Sequence, residues 1–402
     1  MASNRPSTLL LRVDGFGWQD CLATGPGSAI LGSLLFSALF PAPMSVKFLL
    51  RVAGTLLLAW AAAAACVALH TPLPWMLGPL VATSVLSMAG APTESWGPLR
   101  NGGQWAIGAA LGLYFTPEVS ALVGSLWWAI VLGIGWALLL GWGFGAWLYR
   151  LHAPRMHGVP ASMLRSTSYF AGAIGAASEM TLLSERENAR TDLVAASHSL
   201  RLLIVTITIP FALQWSGLQG LDILTPTVRE VSWPGLALLA LLTGAGALVM
   251  DRLGRANPWF MGAMLVSMAV TMAGLHLSAV PQAVVNAAQL VIGVSLGVRF
   301  RAEFLHTAPR WLASVAVGTF GLMGICAAFA AVLAWATGLP WVTLLLGTSP
   351  GGITEMAITA KVLQLGVPVV TAFQVCRLIA VLMLVGPMFR RIYPPTEGGS
   401  AI

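Results

Sequence analysis

Between Leu122 and Leu148 the chain carries no charged side chain at all. About 20 helical residues cross a hydrocarbon layer about 30 Å thick, so this stretch is long enough for a bilayer. Phe48–Leu69 is a similar run with a single charge, Arg51. At that depth no water satisfies the backbone, and the α-helix meets the requirement by bonding every N–H and C=O internally. The whole chain agrees with these segments. Of its 402 residues, 57% are hydrophobic and 9% charged, against about 25% charged in soluble domains. Mean hydropathy is +0.83. Glycine (43) and tryptophan (16) are abundant, as suits close helix packing and headgroup-level anchoring. The expected class is an all-α integral membrane protein whose main partner is the lipid bilayer.

The formal charge of +7 does not point to nucleic acid. The basic residues stand singly or in pairs between apolar runs and form no basic helix face. Cys21, Cys66, Cys326 and Cys376 are far apart, and neither a disulfide framework nor a zinc pattern is visible. Residues 1–45 are mixed in character and are expected to be a poorly ordered extension, with Met44 the natural start. A cleaved signal peptide fits poorly, because Ala29–Phe40 lies far from the terminus and lacks a basic flank. Residues 394–402 form a short polar tail.

Four blocks recur in the same order. Pro74-Trp-Met-Leu-Gly78 returns as Pro258-Trp-Phe-Met-Gly262. Asn101-Gly-Gly-Gln104-Trp-Ala-Ile-Gly108-Ala-Ala-Leu-Gly112 returns as Asn286-Ala-Ala-Gln289-Leu-Val-Ile-Gly293-Val-Ser-Leu-Gly297. Gly175-Ala-Ala-Ser-Glu179-Met180 returns as Gly351-Gly-Ile-Thr-Glu355-Met356. Each Glu is followed 22 residues on by an Arg, Arg201 and Arg377. This is an internal duplication, with a first membrane repeat over 46–216, a linker over 217–232 and a second repeat over 233–393. The first repeat has apolar segments near 46–69, 74–90, 99–115, 119–148, 169–184 and 193–213. In the second they lie near 234–250, 258–275, 281–298, 311–336, 342–361 and 368–389. The fifth in each set is short, rich in Gly and Ser/Thr, and carries the Glu.

Basic residues decide how the fifth segment runs. If it enters and leaves on one side, most of the 21 lysines and arginines fall on a single face, the cytoplasmic one by the positive-inside rule. The expectation is two inverted repeats of about five transmembrane helices, each with one re-entrant or broken segment, a recurrent transporter plan. Both termini are then cytoplasmic and the protein sits multi-pass in a bacterial inner membrane.

Outside the loops, the charges within apolar segments are Glu179, Arg201, Glu355 and Arg377. Burying ions in a bilayer is expensive, so each is a functional candidate. The duplication relates Glu to Glu and Arg to Arg, and the four should converge. Thr348-Ser-Pro-Gly-Gly-Ile-Thr354 can unwind a helix, since Pro350 removes a donor and Gly351 and Gly352 open unusual backbone conformations. Ser178 and Thr354 add hydroxyls beside the carboxylates. These eight residues, Glu179, Glu355, Arg201, Arg377, Ser178, Thr354, Gly351 and Gly352, are the expected substrate-binding set. The plain alternative is that each Glu pairs with an Arg only to brace the broken segments. Gln104, Gly108 and Gly112 share one helix face, as do Gln289, Gly293 and Gly297, which reads as small-residue packing. His198 borders the charged centre or bonds a neighbouring helix. No metal-ligand cluster, catalytic set or cofactor site is visible.

The Glu179-Met180 to Arg201 block and the Pro350-Gly-Gly-Ile-Thr-Glu-Met356 to Arg377 block resemble the AbrB family of duplicated bacterial membrane proteins. Its members are often labelled AbrB duplication or ammonia monooxygenase proteins. The resemblance covers nearly all of residues 46–393 and implies a membrane location and a role in regulation of gene expression. The first half departs from the motif, because Ala171–Ala177 lacks the Pro-Gly-Gly, so its segment is expected to be less sharply broken. Copper oxygen chemistry needs clustered imidazoles, and the six histidines are scattered. The expected function is therefore not enzymatic: a transporter or permease for a small polar or ionic solute, using a paired Glu/Arg centre. A ligand-sensing membrane regulator is the alternative, and a membrane monooxygenase the last.

Overall fold

The computed structural model describes residues 45–156, 158–217, 230–300 and 308–394. The expected extension 1–45 lies outside them except for residue 45, as do most of the linker and all but the first residue of the tail. Among the described residues there are helices and no strands. Seven helices among the described residues precede residue 190: α1 (Val46–Ala68), α2 (Pro74–Met88), α3 (Gly97–Gly112), α4 (Pro117–Ser125), α5 (Trp127–His152), α6 (Ala161–Gly172) and α7 (Ala177–Arg186). Next come α8 (Thr191–Ser216), α9 (Trp233–Arg252), α10 (Pro258–Met272) and α11 (Gln282–Gly297). The last are α12 (Pro309–Thr337), α13 (Trp341–Thr348), α14 (Ile353–Val362) and α15 (Val367–Ile392). The described residues from Arg51 onward form one compact unit.

Six helices, α1, α5, α8, α9, α12 and α15, are long and apolar enough to cross a membrane. The chain is a multi-pass helical membrane protein. α2, α10 and α11 are apolar but only 15 or 16 residues long. The single segment expected over 119–148 is instead two helices, divided at Leu126. At its start, α4 is bent 89° from α3. The cause is local. The Thr116 hydroxyl accepts from the Val119 N–H and Pro117 occupies the first turn, a start signal that restarts the helix inside an apolar run.

Glycines set how the helices lie together, and they do so in matched pairs. A Cβ on Gly108 would overlap the Phe260 carbonyl and one on Gly112 would overlap Met264 and Ser267. Hence α3 lies directly on α10, both advancing in the same direction. Gly293 meets Met76 and Pro79, and Gly297 meets Leu80 and Thr83, so α11 lies on α2 in the same way. The Ser267 hydroxyl donates to the Ala109 carbonyl at 2.8 Å across the first of these contacts. Gly103 faces its own counterpart region, Ala288. The small-residue reading of these blocks describes what they do here.

The chain folds back after α1 and again after α9. The Glu94 N–H donates to Thr55 near the start of α1, and Arg51 lies 4.0 Å from Glu94. Correspondingly, the Ala279 N–H donates to the Glu230 carbonyl just before α9. The long helices α5 and α12 run antiparallel. His152 bonds Ser314 at 3.1 Å, Gly318 faces Phe144 and Trp147, and Trp136 stacks on Phe329 at 4.5 Å.

Gly108→Ala and Gly293→Ala should each destabilise the protein by about 1–3 kcal/mol, the usual range for overpacking. Gly324, on α12, has open space where its Cβ would stand, and Gly324→Ala should lower the melting temperature little or raise it. Thermal unfolding of purified protein in detergent measures all three. Equal behaviour of Gly108 and Gly324 would contradict the close approach.

Candidate functional site

Two helices are interrupted, one in each half. α6 ends at Gly172 and the chain is extended until α7 begins at Ala177. α13 ends at Thr348 and resumes as α14 at Ile353. The first interruption sits against Gly141 of α5, near that helix's midpoint, where Gly172 and Ala173 pack backbone to backbone. A helix break frees carbonyls from the upstream half and N–H groups from the downstream half, and both must find partners inside protein.

Arginines take the carbonyls. Arg201 on α8 donates to Ala171 and Gly172 at 3.3 and 3.2 Å and to Ala173 at 2.7 Å. Its Nη2 also donates to Nδ1 of His198. Arg has no acceptor, so that bond leaves the His198 proton on Nε2, which donates to the Phe170 carbonyl at 2.9 Å. Arg377 on α15 repeats the arrangement with Ser349 and Gly351. Gln374 stands where His198 stood, accepting from Arg377 and donating to Leu346. Arg201 and Arg377 are 2% and 6% exposed.

The glutamates sit at the other side of each break. Glu179 and Glu355 lie in the first turns of α7 and α14, where a negative charge is favoured by the helix dipole. Neither N-terminus has a side-chain cap. A Cβ on Gly352 would overlap the Glu355 carboxylate, which folds back over the start of its own helix.

These ends meet at one cavity of about 380 Å³, lined by all eight expected residues: Glu179, Glu355, Arg201, Arg377, Ser178, Thr354, Gly351 and Gly352. Two features differ from the expected centre. The ion pairs among the described residues are Arg51–Glu94, Arg190–Asp192 and Glu187–Arg390, and none joins Glu179 or Glu355 to Arg201 or Arg377. The arginines serve the negative ends of the upstream half-helices, and the glutamates the positive ends of the downstream ones. Gly351 and Gly352 also do not adopt left-handed conformations; Gly352 has φ −76°. They are needed for space, since a Cβ on Gly351 would press on Met356 just as one on Gly175 would press on Met180.

The first break is present without a Pro-Gly-Gly, contrary to the expectation of a less broken segment. Arg201 competes for carbonyls that a continuous helix would use, and tight packing on Gly141 and Gly145 holds them in reach. The cavity also takes in Asn101, Gln104 and His198, together with Arg100, Arg255 and Arg299. The three arginines read in the sequence as loop charges. Gln374 went unnoticed, although it precedes Arg377 by the same three residues that separate His198 from Arg201.

Comparison with known proteins follows the same outline. The profile of a family described as "Transition state regulatory protein AbrB" matches residues 75–393. A protein of Escherichia coli (strain K12), provisionally named regulator AbrB, is 26% identical over 329 residues, covering 81% of this chain and 91% of its own length. The uncharacterized protein YhjN of Bacillus subtilis (strain 168) is 24% identical over 346 residues, covering 79% and 87%. No solved structure matches the chain.

Arg377→Ala strands buried carbonyls and should cost about 3 kcal/mol or more, since hydrogen bonds to charged groups are worth about 1.5–3 kcal/mol each. Glu355→Gln should cost no more than about 1 kcal/mol, the size of a helix-dipole contribution. Thermal unfolding and monodispersity in detergent compare the two. Equal losses would mean that Glu355 and Arg377 act as a pair.

Proposed function

Because the chain belongs to the AbrB family, and membrane-length helices surround a charged cavity, we propose that it is a transporter for a small polar or ionic solute. One observation carries this reading. Two interrupted helices, one from each half, bring their broken ends to the same cavity. Half-helices ending at a shared central site are how secondary transporters hold substrates within the membrane. The proposed role is non-enzymatic.

The proposed architecture is a pair of inverted repeats with re-entrant segments. In its support, α5 and its counterpart α12 are antiparallel. α3 and its counterpart α11 also run in opposite directions, since Gly103 lies beside Ala288 while Arg100 at the start of α3 and Arg299 just past the end of α11 line the same cavity. For the re-entrant path, α6 passes Gly145 and then Gly141 of α5 as it proceeds inward. The chain nevertheless returns to bond Arg190 N–H to Thr167 and Glu187 to Arg390. Tyr393 lies beside Arg165 and Tyr169 at that same end.

The basic end that holds Arg150, Arg155, Arg165 and Arg390 is proposed to be cytoplasmic, within a bacterial inner membrane. The cavity wall includes Arg100 and Arg255, which the same assignment puts toward the cytoplasm, so the cavity is proposed to open on that side. The regulator name of the Escherichia coli relative supports a second reading, in which solute binding is sensed and affects gene expression indirectly.

Single cysteines at positions 156 and 338, in a background lacking the native ones, should react with a membrane-impermeant maleimide from opposite sides. Labelling of both from the periplasm would end the proposed topology. Uptake of radiolabelled small solutes into proteoliposomes tests transport itself. Solute-dependent stabilisation without any flux above empty liposomes would favour the sensor.

A further inference from the structure

Resting on the transport reading, we infer that the cavity takes a small oxyanion together with one proton, and that the proton is held by Glu355. The anion half of this inference comes from what the cavity wall offers. The uncapped starts of α7 and α14 both reach it, and the N–H groups of Ala177, Ser178, Ile353 and Thr354 belong to the first turns of those helices. Such ends attract negative charge. The wall carries five arginines against three carboxylates, those of Glu179, Asp251 and Glu355, so its formal charge is positive.

The proton half comes from Glu355 itself. It is 6% exposed, lines the cavity, and forms no ion pair among the described residues. The charged and titratable groups that face the cavity from the elements packed around α14 are Arg377 on α15, Arg201 and His198 on α8 and Arg100 on α3, while α13 carries none. Arg299 follows α11, Glu179 faces from α7, and Lys361 lies at the far end of α14. Arg201 and Arg377 already serve backbone carbonyls. An anion settling on the N-terminal amides of α14 would therefore stand beside an ionised carboxylate at the same helix end. Two like charges that close in a low-dielectric site do not both persist, and the carboxylate takes up a proton. Glu179 is less buried than Glu355, which makes Glu355 the group whose charge depends more on the cavity's contents.

The test uses the full chain in detergent and sodium acetate, formate, nitrate and sulfate as probes, none of which changes charge between pH 6 and 8, with tetramethylammonium and glucose as cationic and neutral comparisons. Calorimetric titration from pH 6 to 8, in buffers of different ionisation enthalpy, reads affinity and proton uptake together. The expected result is binding of at least one oxyanion, with about one proton taken up per anion and affinity falling about tenfold per pH unit as pH rises. Glu355→Gln should flatten that dependence, because Gln stays neutral as the protonated acid is. The wild-type proton count stands even if the variant folds poorly.

Failure of every oxyanion to bind, preference for the cation, or anion binding without proton uptake would each overturn the inference. Anion and proton binding with no liposome flux would remove the transport reading and leave this site intact. Flux of a neutral or cationic solute would do the reverse.

Discussion

A helix interrupted inside a bilayer exposes carbonyls that water cannot reach, and the whole centre of this protein is arranged around that constraint. Arg201 and Arg377 each place a guanidinium on the carbonyls at the end of a half-helix. The guanidinium suits this task because its donors form a planar fork that can serve several carbonyls at once. Each arginine is itself held by a residue one turn earlier, His198 in one half and Gln374 in the other. Those two side chains share no chemistry beyond having both a donor and an acceptor. They bond equivalent carbonyls, Phe170 and Leu346, which shows that the hydrogen-bond pattern, not the residue type, is what the site requires.

Capping the two breaks in this way has a consequence for the glutamates. With the arginines engaged by carbonyls, Glu179 and Glu355 are left with their own helix ends and the cavity. The charges nearest the cavity centre are thus separated by function. The cations hold the backbone in its broken form, and the anions line the cavity. Met180 and Met356 fold back over Gly175 and Gly351, filling the space beside each break with flexible apolar matter.

Around this centre, glycine and small residues bring backbones into contact where bulkier side chains would hold them apart. The exchange of partners, α3 on α10 and α11 on α2, ties the halves together through repeat-equivalent surfaces. Lipid provides little hydrophobic drive between helices, so such close approach carries much of the association. It also fixes where Arg100 and Asn101, at the start of α3, meet the cavity.

The sequence alone determined a good deal. Apolar runs separated by charges gave the helices within a few residues, because lipid leaves the backbone almost no alternative. Matched blocks gave the duplication, and the rarity of charge in apolar segments singled out Glu179, Arg201, Glu355 and Arg377. The division of 119–148 at Leu126 went unread, since no charge or proline marks it and hydropathy does not register a helix end between apolar residues. What only the tertiary structure decided was which group each charge serves. Opposite charges at a spacing of 22 residues suggest a pair. The stronger demand at this depth comes from backbone carbonyls freed by the breaks, and those carbonyls become visible only once the chain has folded around them.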